Sequence, residues 1–458
     1  MCHGDEFMKR ELDFEKKNFA GGLEIVKTLV EKGHETFFVG GCVRDALLGV
    51  ACDEIDIATS ATPQQVRQAF ARTVAVGESF GVVLVIRENI KFEVATFRRE
   101  SRYGDGRHPE RVNYTKSPEE DVRRRDFTIN GMLYDPVSGE LYDYVGGLGD
   151  LERGLVRAIG EPRKRFGEDK LRMMRAVRFA SCLGFELDGA ALSAIRDEAS
   201  GISVVSGERI REELVKILTR RNPGDGLRLL SSCGLLEHFL PEVECMRGVR
   251  QPPQFHPEGD VFDHTCLVMD MLYGNTDGRY SEELAVAALL HDVGKPPTYS
   301  ESDRIRFNGH DKVGARMSEG ICRRLRFSKK QTKRISELIL KHLRFKDVFN
   351  MRKSTLKKFL SLPYFEEHMQ MHLADCMASH GKTDAYDFIR EKMEEYGREE
   401  IKPLPLLGGR DLIDLGYSPG PVFSEILGRV EELQLENRIV SKEEAVDFVL
   451  KHYPSNRG

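Results

Sequence analysis

The chain has 458 residues, of which 40% are apolar and 31% charged, which is enough for roughly three domains that each bury a core. No apolar run approaches the roughly 20 residues that cross a bilayer, and the charged N-terminus lacks an export segment, so we expect a cytoplasmic protein without a membrane partner. The net charge of −5 does not favour nucleic-acid binding, and nine cysteines without a CxxC pair argue against a zinc ribbon or a disulfide scaffold.

The chain begins with alternating helix and strand patterns. Residues 19–33 have helical apolar spacing, and “TFFVG” is a short strand that runs into Gly40 and Gly41. “VRDALLG” is predicted to be a helix, and “EIDIA” alternates like a half-buried strand. A strand followed by paired glycines brings the backbone close to whatever binds there.

The same mixed pattern continues to about residue 150. Thr62 and Pro63 open a further helix as its N-cap and first residue. “GVVLVIRENIKFEVATF” predicts two strands joined by a turn near Glu88 and Asn89. We therefore predict an α+β head, a small mixed sheet with helices, over residues 19–150. Within it, the polar “RYGDGRHPERVNYTKSPEED” is predicted to be a mobile loop.

After residue 150 the strand signals nearly vanish, and amphipathic helices predominate. “GEDKLRMMRAVRFASCLGF” is predicted to be helical, within an all-α neck and body over residues 151–249. “RQPPQFHPEGD” is predicted to be a linker before a second all-α domain over residues 250–400. “IKPLPLLGGRD” breaks the pattern again, and residues 401–458 form a short helical tail.

Three carboxylates of the head form a candidate metal site. Glu54 and Asp56 stand two residues apart, so on a strand both point to one face, as a shared metal requires, whereas Asp53 does not share that face. Glu93, on the strand within “KFEVATF”, is a third candidate. Arg44 follows the paired glycines and is suited to binding phosphate as a fork. Taken singly, each is more typical of a surface or turn residue.

These segments together resemble the nucleotidyltransferase β superfamily, and within it the class II tRNA CCA-adding enzymes and bacterial poly(A) polymerases. The resemblance covers about residues 35–245. It rests on “GGCVRD” with “EIDIAT” (motif A), “FEVATFR”, “RRRDFTINGMLYD” (motif B), “DYVGGLGDLERGLVRAIG” (motif C), “EDKLR” (motif D) and “SGERIREEL” (motif E). Glu54 stands where motif A normally has aspartate. The loop “RYGDGRHPERVNY” resembles a flexible loop needed for adding the terminal A.

The resemblance implies a role for each matching residue. Glu54, Asp56 and Glu93 would be catalytic, the first two holding Mg²⁺, while Gly40, Gly41 and Arg44 would bind the triphosphate. Arg125 and Asp126 of motif B would contact the ribose of the incoming nucleotide. Asp169 and Arg172 of motif D would bond to the edge of its base, and Glu168 would hold Arg172. Spacing alone places Glu168 and Arg172 on one helical face.

A second set of metal-binding residue types follows in the C-terminal half. His264, His291, Asp292 and Asp375 occur in the order H…HD…D and resemble the HD metal-dependent phosphohydrolases. Imidazole and carboxylate ligands suit a divalent metal that activates water against a phosphoester. His310 and His342 are candidates for further ligands, and the sequence leaves the identity of the metal open.

The resemblance implies an enzyme that adds CCA, from CTP and ATP, to the 3′ acceptor end of tRNA, with Mg²⁺ as cofactor. The HD domain would contribute phosphohydrolase activity in repair of the tRNA end. Two alternatives stay open. One is a poly(A) polymerase or an enzyme that adds only the final A, and the other is an HD phosphohydrolase whose head binds RNA without catalysis.

Overall fold

The computed structural model describes residues 7–9, 12, 14, 16–52, 54–75, 81–99, 113–254 and 256–453. They group into two compact units, one over Met1–Glu244 with Arg324–Arg326 and one over Cys245–Arg323 with Phe327–Gly458. No helix within the described ranges is both long and apolar enough to span a membrane. The predicted loop covers residues 102–121, of which 102–112 lie outside the described residues, as does Asp53. Its described part contains the strand Asn113–Tyr114 and the start of the helix Pro118–Arg123.

The first unit contains a mixed sheet and the helices that cover it. The strands of this part are β1 (Phe7–Lys9), β2 (Thr36–Val39), β3 (Asp56–Thr59), β4 (Thr73–Ala75), β5 (Val82–Arg87), β6 (Ile90–Thr96), β7 (Arg98–Arg99), β8 (Asn113–Tyr114), β9 (Leu133–Asp135) and β10 (Glu140–Tyr142). The helices are α1 (Lys16–Glu31), α2 (Gly41–Leu47), α3 (Pro63–Ala69), α4 (Pro118–Arg123) and α5 (Gly147–Glu152), with a 3₁₀ turn at Thr128–Asn130.

Eight of these strands form one sheet in the order β1-β10-β9-β2-β3-β6-β5-β4. β3 and β6 pair in parallel and the other neighbours are antiparallel. The tight hairpin between β5 and β6 turns at Glu88 and Asn89, whose φ angles of 47° and 65° match the turn type that favours right-handed strand twist. This confirms the predicted hairpin.

Both faces of the sheet are apolar. Helix α1 covers one face, where the side chains of Phe38 and Phe92 pack so closely that a Cβ on Gly22 or Gly21 would meet their rings at 3.0 Å or less. The other face carries a buried cluster that includes Phe37, Phe97, Val122 and Leu133. Thr62 caps α3 in a reciprocal box with Gln65, as the Thr-Pro start of that helix predicted.

The rest of the first unit is helical apart from one two-stranded pairing. Its elements are β11 (Leu155–Val156), α6 (Pro162–Glu168), α7 (Leu171–Leu183), β12 (Glu186–Leu187), α8 (Gly189–Glu198), a 3₁₀ helix (Ala199–Val204), α9 (Gly207–Leu218), α10 (Pro223–Ser232), α11 (Leu236–Phe239) and α12 (Pro241–Glu244). Helix α7 packs on α9 and α10. These helices supply the wall that faces the edge of the sheet.

The second unit is almost wholly helical. Its elements are α13 (Val261–Thr276), α14 (Glu282–Leu290), α15 (Lys295–Thr298), β13 (Tyr299–Glu301), β14 (Ile305–Phe307), α16 (His310–Arg324), α17 (Lys329–Lys341), a 3₁₀ helix (His342–Asn350), α18 (Lys353–Leu360), α19 (Phe365–Ala378), α20 (Asp384–Ile401), α21 (Gly409–Asp414), α22 (Pro421–Leu435) and α23 (Lys442–His452). Helix α13 packs against α14 and α19, and α14 against α17. A separate apolar cluster that includes Leu412, Ile426 and Val449 holds the tail helices together.

The structure confirms the predicted fold class, an α+β head followed by helical segments. Two local predictions are wrong. The strand predicted to include Glu54 begins only at Asp56, so the two carboxylates do not share a strand face. The helix predicted through “GEDKLRMMR” is interrupted, because α6 ends at Glu168 and Asp169 has the extended dihedrals φ −147° and ψ 105°.

Two candidate sites, one in each unit

The first candidate site is a cavity of about 750 Å³ between the sheet edge and helices α7 and α9. Val39 pairs with Asp56, and Asp56 with Glu93, so strand register brings the Gly40 turn and the carboxylates to one edge. All the residues predicted for the nucleotidyltransferase site line this cavity except Glu93 and Glu168. Glu93 pairs with Asp56 in the sheet, and Glu168 is bonded to Arg172.

The carboxylates form a charged group at the end of β3. Burial, together with the negative charge of Glu93 and a smaller contribution from Glu54, raises the pKa of Asp56 to about 6, although Arg125 opposes the shift. Such mutual repulsion between oxygen ligands is what a divalent cation relieves, so these residues fit Mg²⁺. Glu54 lies outside the strand and is exposed, but it lines the same cavity as Asp56.

The turn after β2 requires a glycine because of its backbone conformation. Gly40 has a φ of +75°, which strains any L side chain. A Cβ at this position would lie 3.6 Å from Nη1 of Arg125 and 3.8 Å from Oδ2 of Asp56, which are ordinary contact distances. The positive φ, rather than a lack of space, therefore favours glycine beside the carboxylates.

Arg44 is a buried residue with protein partners of its own. It is 7% exposed, and its Nη1 donates to Oδ1 of Asn130 at 2.6 Å while its Nε donates to Oδ1 of Asp45 at 2.8 Å. Asn130 is the last residue of the 3₁₀ turn, and it also donates to Asp126 at 3.4 Å. The sequence analysis did not single out Asn130, although it stands within “RRRDFTIN”.

Motif B residues are held by ion pairs. Asp121 is 1% exposed and accepts from Nη2 of Arg125 at 3.0 Å. Nε of Arg175 donates to Oδ2 of Asp126 at 2.8 Å. Burial alone would raise the pKa of Asp126, but the Arg175 charge and hydrogen bonds override it and hold the pKa at about 2. Asp126 is therefore an anion and an acceptor at neutral pH.

Motif D forms its ion pair across a helix break. Nη1 of Arg172 donates to Oε2 of Glu168 at 2.7 Å, although the two residues belong to different helices. The extended residue between them, Asp169, accepts from Nη2 of Arg209 at 2.7 Å. The sequence analysis missed Arg209 because 40 residues separate the partners, and no local pattern marks the pair.

Arg178, which lines the cavity, forms a buried ion pair with Glu213. Nε of Arg178 donates to Oε2 of Glu213 at 2.6 Å, and Nη1 of Arg175 lies 3.8 Å from Oε1 of the same glutamate. The guanidinium of Arg178 also lies 4.1 Å from the ring centroid of Phe179. Asp126 belongs to motif B and Glu213 to helix α9. Because Arg175 contacts both carboxylates, it links motif B to helix α9.

The second candidate site lies in the second unit, where all six predicted metal ligands come together. His264, His291 and Asp375 place ligand atoms within 4.8 Å of one another, and so do Asp292, His310 and His342. Asp292 joins the two groups, since its Oδ2 lies 3.2 Å from Nε2 of His291 and its Oδ1 lies 3.4 Å from Nε2 of His310. The geometry therefore suits one or two cations.

Each of the four histidines has its Nδ1 engaged. Those of His291, His310 and His342 lie 2.6–2.8 Å from backbone carbonyl oxygens, and that of His264 lies 2.6 Å from Oε1 of Glu258. This assigns the proton to Nδ1 and turns Nε2 inward as a lone-pair donor. The buried Nε2 atoms of His291 and His310 have no hydrogen-bond partner among the described residues, so this residue set fits a divalent metal.

Two residues of this site were missed. Glu258 contacts both His264 and His256, the second at 2.9 Å. Both residues lie in “RQPPQFHPEGD”, which was predicted to be only a linker. A histidine and a glutamate two residues apart, shortly before His264, were the available signal.

Comparison with known proteins matches three segments of the chain. Family profiles match at residues 36–157, described as “Poly A polymerase head domain”, at residues 184–246, described as “Probable RNA and SrmB-binding site of polymerase A”, and at residues 261–377, described as “HD domain”. The fold and the two sites thus define a protein with a polymerase-type nucleotidyltransferase head and an HD domain.

Relatives and solved structures specify the family. The chain is 44% identical over 275 residues to a CCA-adding enzyme of Lactiplantibacillus plantarum (59% of this chain, 66% of the relative) and 44% identical over 226 residues to one of Bacillus pumilus (49% and 56%). The matched part thus spans between about half and two thirds of these relatives. The crystal structure of the Bacillus stearothermophilus CCA-adding enzyme in complex with CTP aligns with a TM-score of 0.74 at 25% identity, covering 95% of this chain and 98% of that one.

The chain belongs to the family of class II tRNA CCA-adding enzymes and bacterial poly(A) polymerases that carry an HD domain. Nucleotidyltransferases of this kind use a divalent metal.

Proposed function

We propose that this protein adds nucleotides from CTP and ATP to the 3′ end of tRNA and completes the sequence CCA without a nucleic-acid template. The observation that carries the proposal is the single cavity that Glu54, Asp56, Asp169 and Arg172 line together, with Glu168 bonded to Arg172 beside it. The relatives named as CCA-adding enzymes and the similar structure with CTP support it. The free cysteines of the described chain fit a cytoplasmic location.

Glu54 and Asp56 would hold Mg²⁺, with Glu93 beside them. A metal held there would neutralise phosphate charge and make the 3′ hydroxyl a better nucleophile. The Gly40 turn would lie beside the triphosphate, and Arg44 provides positive charge next to it. In the reaction the 3′ hydroxyl of tRNA loses its proton to solvent and its oxygen bonds to the α-phosphorus, the bond to the bridging oxygen breaks, and pyrophosphate leaves.

The remaining residues would select and orient the nucleotide. Asp126, kept ionised by Arg175, would accept a hydrogen bond from the ribose, with Arg125 beside it. Arg172 donates and Asp169 accepts, and cytosine and adenine both present an exocyclic amine next to a ring acceptor. Glu168 fixes the arginine in this role. Arg209 occupies Asp169, so we expect the base to displace or share this contact.

We propose a second function for the HD domain, hydrolysis of a phosphoester on RNA 3′ ends. The observation favouring it is the pair of ligand groups joined by Asp292. We also propose four domains: a head over residues 19–150, a neck and body over residues 151–249, an HD domain over residues 250–400 and a tail over residues 401–458.

The decisive experiment incubates the protein with Mg²⁺, labelled CTP or ATP, and tRNA transcripts that lack CCA, end in C, or end in CC. We expect all three to be completed to CCA. Addition of A alone to the CC transcript, or long A tails on any RNA, would instead identify an A-adding enzyme or a poly(A) polymerase. No incorporation at all would favour the HD phosphohydrolase with a non-catalytic head.

A further inference from the structure

The first unit contains a second cavity, which we call the arginine cavity. It has a volume of about 420 Å³ and is lined by Arg99, Glu120, Arg123, Arg124, Ile159, Gly160 and Arg165. Four guanidinium groups thus face one carboxylate. That carboxylate, Glu120, accepts a hydrogen bond from Thr115, so part of its charge is already engaged.

The protein holds these arginines in defined positions. Arg165 is 7% exposed, and its Nε donates to the backbone oxygen of Ile159 at 2.7 Å. Nε of Arg124 donates to Oδ1 of Asp121 at 2.9 Å. Arg123 pairs with Glu119 one helical turn away and remains 61% exposed. The cavity therefore has a buried, positioned floor and a solvent-facing rim.

Positive charge is crowded on this side of the head. Burial lowers the pKa of Arg124 to about 10; the charge of Asp121 opposes the shift, and repulsion from Arg98 and Arg125 adds to it. Nε of Arg98 is itself buried and has no hydrogen-bond partner among the described residues. An anion in the cavity would relieve this repulsion, and planar guanidinium groups bind phosphate oxygens in pairs.

The cavity adjoins the nucleotide site. Arg124 lines both cavities. Nη1 of Arg165 donates to Oε2 of Glu168 at 3.0 Å, and the same oxygen accepts from Nη1 of Arg172 at 2.7 Å. Only the guanidinium group of Arg165 would therefore separate a group bound in the arginine cavity from the Glu168–Arg172 pair, which is proposed to read the base.

We propose that the arginine cavity binds an internucleotide phosphate of the RNA strand close to its 3′ end. The inference rests on the proposed function, in which the 3′ hydroxyl must lie beside the α-phosphate of the nucleotide. Because Arg124 lines both cavities, an RNA strand that reaches the nucleotide site past this residue would place one of its phosphates in the arginine cavity. Pyrophosphate and free nucleotide carry the same chemistry and are separated by the experiment.

The test measures binding without catalysis. A fluorescent tRNA-like hairpin ending in CC is titrated in EDTA with wild-type protein, Arg99→Gln, Arg123→Gln and the control Arg153→Gln, at KCl concentrations from about 50 to 200 mM. Arg153 is 71% exposed and lies outside both cavities. We expect each cavity variant to weaken RNA binding several-fold and to lower the slope of log affinity against log salt by about 1, while the control matches wild type.

Two further arms separate the sources of the anion and the two proposals. The affinities for ATP and for pyrophosphate should stay within twofold of wild type in both cavity variants. If these affinities fall instead and RNA binding does not change, or if the salt slope is the same as in the Arg153→Gln control, the inference is wrong. Wild-type protein that adds no A to the hairpin once Mg²⁺ and ATP replace the EDTA would contradict the proposed function, whatever the salt slopes show.

Discussion

At the residue scale, we expect nucleotide addition by the head to depend on its carboxylates. We expect Asp56→Asn to lower kcat for nucleotide addition by about 100- to 1000-fold, because it removes an anion that holds the metal and the transferred phosphate. Glu54→Gln should also lower kcat, whereas Glu54→Asp should retain activity. Glu24→Gln, on an exposed side chain of α1, is the matched control. Full activity in Glu54→Gln would refute the assignment of Glu54.

The Asp126–Arg175 pair predicts a pH dependence of stability. The pKa of Asp126 is held at about 2, below its ordinary value of 3.8. Its contribution to the free energy of unfolding, about 2 kcal/mol, is complete above pH 4 and is lost as the pH falls from about 4 towards 2.

Arg175→Met removes the largest of the contributions that lower this pKa. Burial still raises the pKa of Asp126, and only the Arg172 charge and the backbone N–H of Phe127 remain to lower it, so we expect the pKa to rise and less stability to be lost on acidification. Urea unfolding of wild type and variant between pH 3 and pH 7 measures the difference, with Arg153→Met as control. Parallel pH profiles in the two proteins would contradict this account.

At the element scale, the 3₁₀ turn Thr128–Asn130 depends on its contact with helix α5. A Cβ on Gly147 would lie 2.2 Å from the backbone oxygen of Thr128, whereas one on Gly149 in the same helix would have no described atom within 4 Å. We expect Gly147→Ala to destabilise the protein by about 1–3 kcal/mol and to reduce nucleotide addition, because Asn130 would shift away from Arg44.

Gly149→Ala is the matched control for this prediction. It makes the same chemical change on the same helix, and we expect unchanged or slightly increased stability, since alanine favours helix over glycine by about 1 kcal/mol. Thermal unfolding and nucleotide incorporation measure both variants. Equal loss in the two would show that α5 itself, rather than its contact with Thr128, is sensitive.

At the scale of the whole molecule, the two sites lie in separate compact units. We expect His291→Gln to lower the divalent metal content measured by mass spectrometry and to lower the unfolding temperature of the second unit. Nucleotide addition by the head should stay within about twofold of wild type, because none of its proposed residues lies in that unit. His238→Gln, on a partly exposed side chain of the first unit, is the control. Loss of addition in His291→Gln would contradict this independence.

The two wrong local predictions have a common physical reason. Alternation in “EIDIA” and helical spacing in “GEDKLRMMR” are local patterns, whereas the bounds of an element depend on its partners: β3 begins at the Asp56–Val39 pair, where its neighbour β2 ends. Asp169 leaves the helix and pairs with Arg209 on α9, while Glu168 and Arg172 keep their ion pair across the break. The predicted pairing of Glu168 with Arg172 is therefore present, but the two residues do not share the face of one continuous helix.

By itself the sequence determined the fold class, the hairpin at Glu88 and Asn89, the cap at Thr62, and the identities of the residues that come together in the two candidate sites. These features depend on local propensity and on motifs in which order and residue type carry the information. Only the tertiary structure decided how these residues are held: Arg44 by Asn130, Asp126 by Arg175, and His264 by Glu258. It also decided that the arginine cavity lies beside the nucleotide site, because side chains distant in sequence meet only once the chain has folded.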